Sequence, residues 1–120
     1  LLERSVVYVA AGEAPDVLEA VDTPTARQLR LIEVDHLSQV EADHRPTVLI
    51  LSRGLLSPDA PEVLRHMAAQ VVVIATDSDA ARLAKETGRC FFWSGDFSGR
   101  RGFVRGLKAA LRQSASLPLT

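Results

Sequence analysis

Short apolar runs recur along this chain with helical spacing between them, and this alternation constrains the fold more than any other feature. Val6-Val7-Tyr8-Val9-Ala10 is a mostly β-branched run of the kind that fills a strand covered on both faces. Leu29-Arg30-Leu31-Ile32-Glu33-Val34 alternates in part, which suits a strand nearer a sheet edge. Thr47 to Leu51 is the most hydrophobic run and reads as the central strand, reached through Arg45-Pro46 and closed by Ser52. Val71-Val72-Val73-Ile74-Ala75 and Cys90-Phe91-Phe92-Trp93 supply the fourth and fifth strands. Five strands alternating with helices predict an α/β domain built on a parallel sheet, and right-handed crossovers restrict it to a few doubly wound orders.

The intervals carry the helix signals. Pro15 suits a first turn, with Val17, Leu18 and Val21 as the apolar side, and Pro24 limits that helix with a restart at Thr23 or Thr25. Asp35 is the expected N-cap of a short helix burying Leu37 and Val40. Pro58 and Pro61 frame the start of the next helix, in which Val63, Leu64, Met67 and Ala68 recur at three- and four-residue intervals. Asp77, Ser78 or Asp79 caps a further helix, and Gly88 is its expected left-handed stop. Phe103, Val104, Leu107 and Leu111 mark the inner face of the last helix, with Arg105, Lys108 and Arg112 on its wet side.

Length and composition bound the function. One hundred and twenty residues, 47% of them hydrophobic, fit one domain with its own core. A net charge of −1 gives no general pull toward nucleic acid or an acidic membrane. Cys90 is the only cysteine, so neither an internal disulfide nor a cysteine metal cluster is available. No apolar run approaches the ~18 residues of a membrane span, and no signal-peptide core stands at the N-terminus. The chain opens on Leu1 rather than Met and closes in Ser114-Ala115-Ser116-Leu117-Pro118-Leu119-Thr120. It is therefore expected to be a cytoplasmic module, residues 1–113, with residues 114–120 as a linker toward a further domain. Arginine far outnumbers lysine and alanine is abundant, which associates the chain with a GC-rich bacterial genome.

Leu37 through Ser52, Val71 to Thr76 and Gly88 through Phe97 together resemble the second helix and third strand, the fourth strand, and the fifth-strand region of response-regulator receiver domains. The resemblance covers about residues 5 to 113. It implies a doubly wound five-stranded parallel sheet in the order 2-1-3-4-5, with the functional edge at the carboxyl ends of the strands. Receivers accept a phosphoryl group on an aspartate at the end of strand three, with Mg²⁺ held by acidic residues after strand one and a lysine on the phosphoryl oxygens. Carried over residue by residue, the phosphoacceptor position falls on Ser52 and the acidic pair on Ala10 and Ala11. The lysine position falls on Ser94 or Gly95, and the switch hydroxyl on Thr76, or on Ala75 in the alternative register. Serine cannot form an acyl phosphate. The resemblance thus implies a pseudo-receiver: a non-enzymatic signalling module that works through dimerisation or protein contacts, independently of aspartate phosphorylation.

Several residues invite sharper readings than their surroundings support. Ser52 is a candidate hydrogen-bond cap or kinase target, although a polar residue closing a strand is the simpler account. His36, His44 and His66 lack ligand spacing and cysteine or paired-acid companions, so no metal is expected. Cys90 reads as a small buried hydrophobe. Phe91, Phe92, Trp93 and Phe97 are expected mostly in the core, but Trp93 and Phe97, near the strand end, are candidate interface anchors. With Arg105, Lys108 and Arg112 they define an expected contact face over helix four, strand five and helix five, for a second copy or a partner protein. Gly95 to Gly102 is the most unusual loop. Its Arg100 and Arg101, placed before a helix, make a candidate anion site, and hence an alternative small-molecule or nucleotide sensor using the carboxyl-end crevice. No cofactor is expected, and no nucleophile–base pair suggests catalysis.

Overall fold

A computed structural model describes residues 5–21, 23–40, 47–67, 71–87, 91–93 and 99–116. The chain is α/β. Strands β1 (Ser5–Ala10), β2 (Leu29–Val34), β3 (Thr47–Leu51) and β4 (Val71–Ala75) form a parallel sheet in the order β2-β1-β3-β4. Three further residues, β5 (Phe91–Trp93), pair parallel to β4, with Trp93 opposite Ala75. Helices α1 (Ala14–Ala20), α2 (Thr23–Arg27), α3 (Ala60–Arg65), α4 (Ser78–Glu86) and α5 (Gly99–Ser116) lie between and after the strands, with single 3₁₀ turns at Leu37–Gln39 and Arg53–Leu55.

Every residue of β3 and β4 is buried, which explains why these two runs are continuously apolar rather than alternating. Successive side chains point to opposite faces and build two cores. Val6, Tyr8, Ala10, Leu49, Leu51, Val71, Val73 and Ala75 face the two 3₁₀ turns, α3 and α4, meeting Leu37, Leu55, Leu64, Met67 and Ala80. Val7, Val9, Val48, Ile50, Val72 and Ile74 face α1 and α5, meeting Val17, Val21, Leu107 and Ala110.

The helix restart at Thr23, the first-turn prolines and the Asp77 cap, which accepts from the Ala80 amide at 2.9 Å, agree with the sequence reading. Three expectations need correction. Leu18 is 48% exposed, because α1 turns Ala14, Val17 and Val21 toward the sheet. The expected helix after β2 is a 3₁₀ turn capped by His36, not Asp35. Gln39 Oε1 reaches back to the Asp35 and His36 amides and so completes a capping box around His36. Arg100 and Arg101 do not precede the last helix. They stand in its first turn, because α5 starts at Gly99 and its amphipathic spacing outweighs the cost of Gly102, about 1 kcal/mol. At its other end α5 runs through Ser116, since nothing in Ser114-Ala115-Ser116 breaks a helix. Ala68, Gly88 and Cys90 lie outside the described residues.

Candidate functional site at the carboxyl edge of the sheet

The carboxyl ends of β1, β3 and β4 bring together Ala10, Ala11, Ser52 and Thr76. Leu51 pairs with Ala75 across β3 and β4, so Ser52 and Thr76 are the next residues out on adjacent strands. This register makes Thr76, rather than Ala75, the first residue beyond the end of β4. Its amide and its hydroxyl both donate to the Leu51 carbonyl, at 3.0 and 3.3 Å. The hydroxyl is thus turned onto backbone at the end of β3.

Ser52 is only 6% exposed. It occupies the N-cap position of the 3₁₀ turn at 53–55, yet its side chain makes no cap bond there. The hydroxyl instead donates to Glu13 Oε2 at 3.0 Å, tying the end of β3 to the loop after β1. A carboxylate therefore does reach this edge, but from the flank of Ser52 and as its hydrogen-bond acceptor. Gly54 folds back over the same spot: a Cβ there would lie 3.5 Å from the Ala10 Cβ and 3.8 Å from Ser52 Oγ. Ala10 is buried and Ala11 exposed, and neither brings a cation ligand.

A second carboxylate fixes the same loop from the other side. Glu33, on β2, accepts from the amides of Gly12 at 2.8 Å and Ala14 at 3.2 Å with one oxygen. Gly12 has φ +86°, where glycine avoids the Cβ clash other residues meet, and this turn aims its amide at Glu33. The Ala14 amide is one of the orphan donors of the first turn of α1, so Glu33 caps that helix from a neighbouring strand. The β1–α1 loop is thereby held by these carboxylates together with backbone bonds from the Ala11 amide to the Val34 carbonyl and from the Glu13 amide to the Ala10 carbonyl, both 3.0 Å. Nearby, Arg53 pairs with Asp79 at 3.3 Å across an exposed gap. Among the described residues no group of three His, Cys, Asp or Glu side chains is placed to hold a metal ion.

The remaining candidates divide. Arg105, Lys108 and Arg112 are exposed along one side of α5, with Leu107 and Ala110 buried beneath them. Trp93 ends β5, but its side chain, like those of Arg100 and Arg101, lies outside the described residues, and so does Phe97 together with Ser94 and Gly95. His44 is also outside them.

Two features escaped the sequence reading. One is the cap that Glu33 provides, for which sequence offers no signal because its partners lie 19 and 21 positions away. The other is a polar corner beside α3. His36 Nδ1 accepts from the Ser38 amide at 3.0 Å, which leaves the proton of the neutral ring on Nε2, facing Asp59 Oδ1 at 2.9 Å. Ser57 donates to the same carboxylate oxygen. Hydrogen bonds from Ser57 and then His36 hold the Asp59 carboxyl below its ordinary value of 3.8. The Ser57-x-Asp59 pair is the only local hint of this network, since His36 comes from across the sheet connection.

No protein-family model matches this sequence, and comparison with the curated proteins gives no match. Among the described residues no helix is long and apolar enough to cross a membrane.

Proposed function

We propose that this chain is a pseudo-receiver: a doubly wound domain of five-stranded order 2-1-3-4-5, acting as a non-enzymatic regulatory module of a bacterial, cytoplasmic signalling protein. The observation that carries the reading is the state of Ser52. A nearly buried serine stands at the end of β3 with its hydroxyl engaged by Glu13. Phosphotransfer to that position would need a free carboxylate aligned for in-line attack and a second carboxylate sharing a hard cation. Alanines follow β1 instead, and Glu13 serves as an acceptor that latches the loop. The edge is then tied by Glu13 and Glu33, in place of the groups of a phosphorylation switch.

Output without a switch rests on surfaces. The exposed stripe of Arg105, Lys108 and Arg112 on α5 is the proposed contact face, for a second copy or a partner protein, with α5 passing the domain's position to an effector in the same polypeptide. Its charges set complementarity and encounter rate rather than most of the affinity. The carboxylate of Glu13 at the crevice, and the pairing of Arg53 with Asp79, weigh against the alternative of an anionic nucleotide bound at that edge.

Amide spectra with Mg²⁺ and beryllofluoride test the first part. The expected result is no change beyond that of either additive alone; widespread shifts requiring both would reject the reading. Sedimentation equilibrium across a micromolar series tests the second: reversing Arg105 and Lys108 to Glu is expected to weaken association while leaving the melting temperature in place. Unchanged association would remove α5 as the face.

A further inference from the structure

We propose that the groove between the 3₁₀ turn at 37–39 and α3 docks a short basic segment of a partner protein, one Arg or Lys flanked by apolar side chains. The inference rests on reading the domain as an interaction module and names the partner chemistry of a second surface. The groove encloses about 540 Å³ and opens to solvent. Its floor is apolar: Leu37 and Met67 belong to the core beneath, while Val40 and Val63 pack on that core but remain half-exposed. A floor of this kind accepts aliphatic side chains and the methylene stems of Arg or Lys.

The polar rim fixes the sign of the occupant. Asp59 and Glu62 line the groove, and the Asp59 carboxyl is held ionised by Ser57 and His36. His66 also lines it. Its Nδ1 sits 2.8 Å from the Glu62 carbonyl and must donate its proton there, because a carbonyl only accepts. In the neutral ring Nε2 is therefore left as a bare acceptor. Two carboxylates and an imidazole lone pair leave the rim short of donors, and no Lys or Arg stands among the described lining residues. Cationic donors are the complement, and the four apolar side chains require that they arrive on an apolar chain. A free inorganic cation would leave that floor uncovered.

The test uses the domain labelled with ¹⁵N and the peptide acetyl-Leu-Arg-Leu-Lys-amide, with acetyl-Leu-Glu-Leu-Glu-amide as the charge-reversed control. The expected result is saturable shifts of the Leu37, Val40, Val63 and Met67 amides with the basic peptide alone. Glu62→Gln should weaken binding by about fivefold at most, as for a partly exposed ion pair. Val63→Ser should weaken it through the floor, and thermal melts establish that both variants remain folded. Equal shifts with both peptides, shifts elsewhere, or no shifts would overturn the proposal. So would phenethylamine binding as tightly as the peptide, which would make this a small-molecule site. Groove shifts on concentrating the protein alone would also overturn it, making the occupant a second copy. The α5 charge reversals run in parallel keep the two readings apart. Association lost there with a silent groove rejects only this inference; a filled groove in a strict monomer keeps it and removes the α5 face.

Discussion

The carboxyl edge of the sheet and the corner beside α3 are both polar regions built over the same apolar core, and they differ in what their carboxylates tie down. At the edge, Glu13 accepts from Ser52 and Glu33 accepts from Gly12 and Ala14, each through one oxygen, and both tie the β1–α1 loop to neighbouring strands. At the corner, Asp59 is held charged by His36 and Ser57 while remaining in contact with solvent, beside Glu62 and an imidazole acceptor. One region ties a loop to the sheet; the other is the face proposed above for a basic segment. A sheet edge that is the customary place for a ligand in open α/β folds is here an internal latch.

The comparison breaks most visibly if the corner loses its footing. Leu37 is fully buried and is the only side chain of the 3₁₀ turn that reaches the core. Leu37→Ala is expected to cost about 3 kcal/mol through lost burial and a residual cavity. Denaturant melts measure the loss, and amide spectra should show the changes concentrated around Val40, Val63 and Met67 while Ser52 and Thr76 keep their shifts. Changes spread evenly to the edge would mean the two regions are one cooperative unit rather than two.

Restoring a carboxylate at the edge sharpens the contrast. Ser52→Asp places a second acidic group, nearly buried, against Glu13 and removes the hydroxyl donor between them. The expected cost is on the order of 2 kcal/mol at neutral pH. The penalty should shrink as the pH falls, because protonating either carboxyl relieves the repulsion. Mg²⁺ should recover part of it in the variant and none in the wild type. A variant as stable as the wild type without metal would mean that Glu13 swings away freely, and the latch would be no latch.

A smaller effect is expected at the other tie. Glu33→Ala strips the acceptor from the Gly12 and Ala14 amides, at an expected cost of about 1 kcal/mol, typical of a helix cap. Hydrogen exchange is the better probe: the Ala14 amide should exchange faster while amides in β3 do not. Unchanged exchange at Ala14 would show that water satisfies the donor equally well.

The legible part of this molecule was its periodicity. Continuous apolar runs mark β1, β3 and β4 because both faces of those strands are covered, and period-two partners needed no distant information. Ser52 could be placed at the end of β3 for the same reason. Its partner is not legible in the sequence, because the turn of Glu13 toward the edge depends on the φ of Gly12 and on a cap from another strand. Leu37 and Val40 at i, i+3 fit a helix and a 3₁₀ turn alike; the Gln39 side chain reaching back to the Asp35 and His36 amides belongs to the turn. The corner was illegible because His36 and Asp59 are 23 positions apart and meet only when the chain returns through β3.

The gentlest test lies in the corner's charge. Ser57 and His36 hydrogen bonds lower the Asp59 carboxyl below 3.8, and the group is fully exposed, so its effect is read as a pH window rather than as an energy. A carboxyl whose folded value is depressed binds fewer protons in the native state than in the unfolded chain. Its contribution is therefore complete above the unfolded value and is lost as the pH falls through the folded one. Urea melts of the wild type and Asp59→Asn, taken from about pH 6 down to about pH 2.5, should show a gap that is constant at the upper end and closes below the ordinary carboxylate range. His36 also hydrogen-bonds the Asp59 carboxylate, so the comparison is repeated in His36→Gln, where the gap should narrow. Substituting Glu13 is expected to leave the Asp59 gap unchanged, because the latch and the corner share no partner. A gap that moved with Glu13 would couple the edge to the corner, and the distinction between them would then be one of degree.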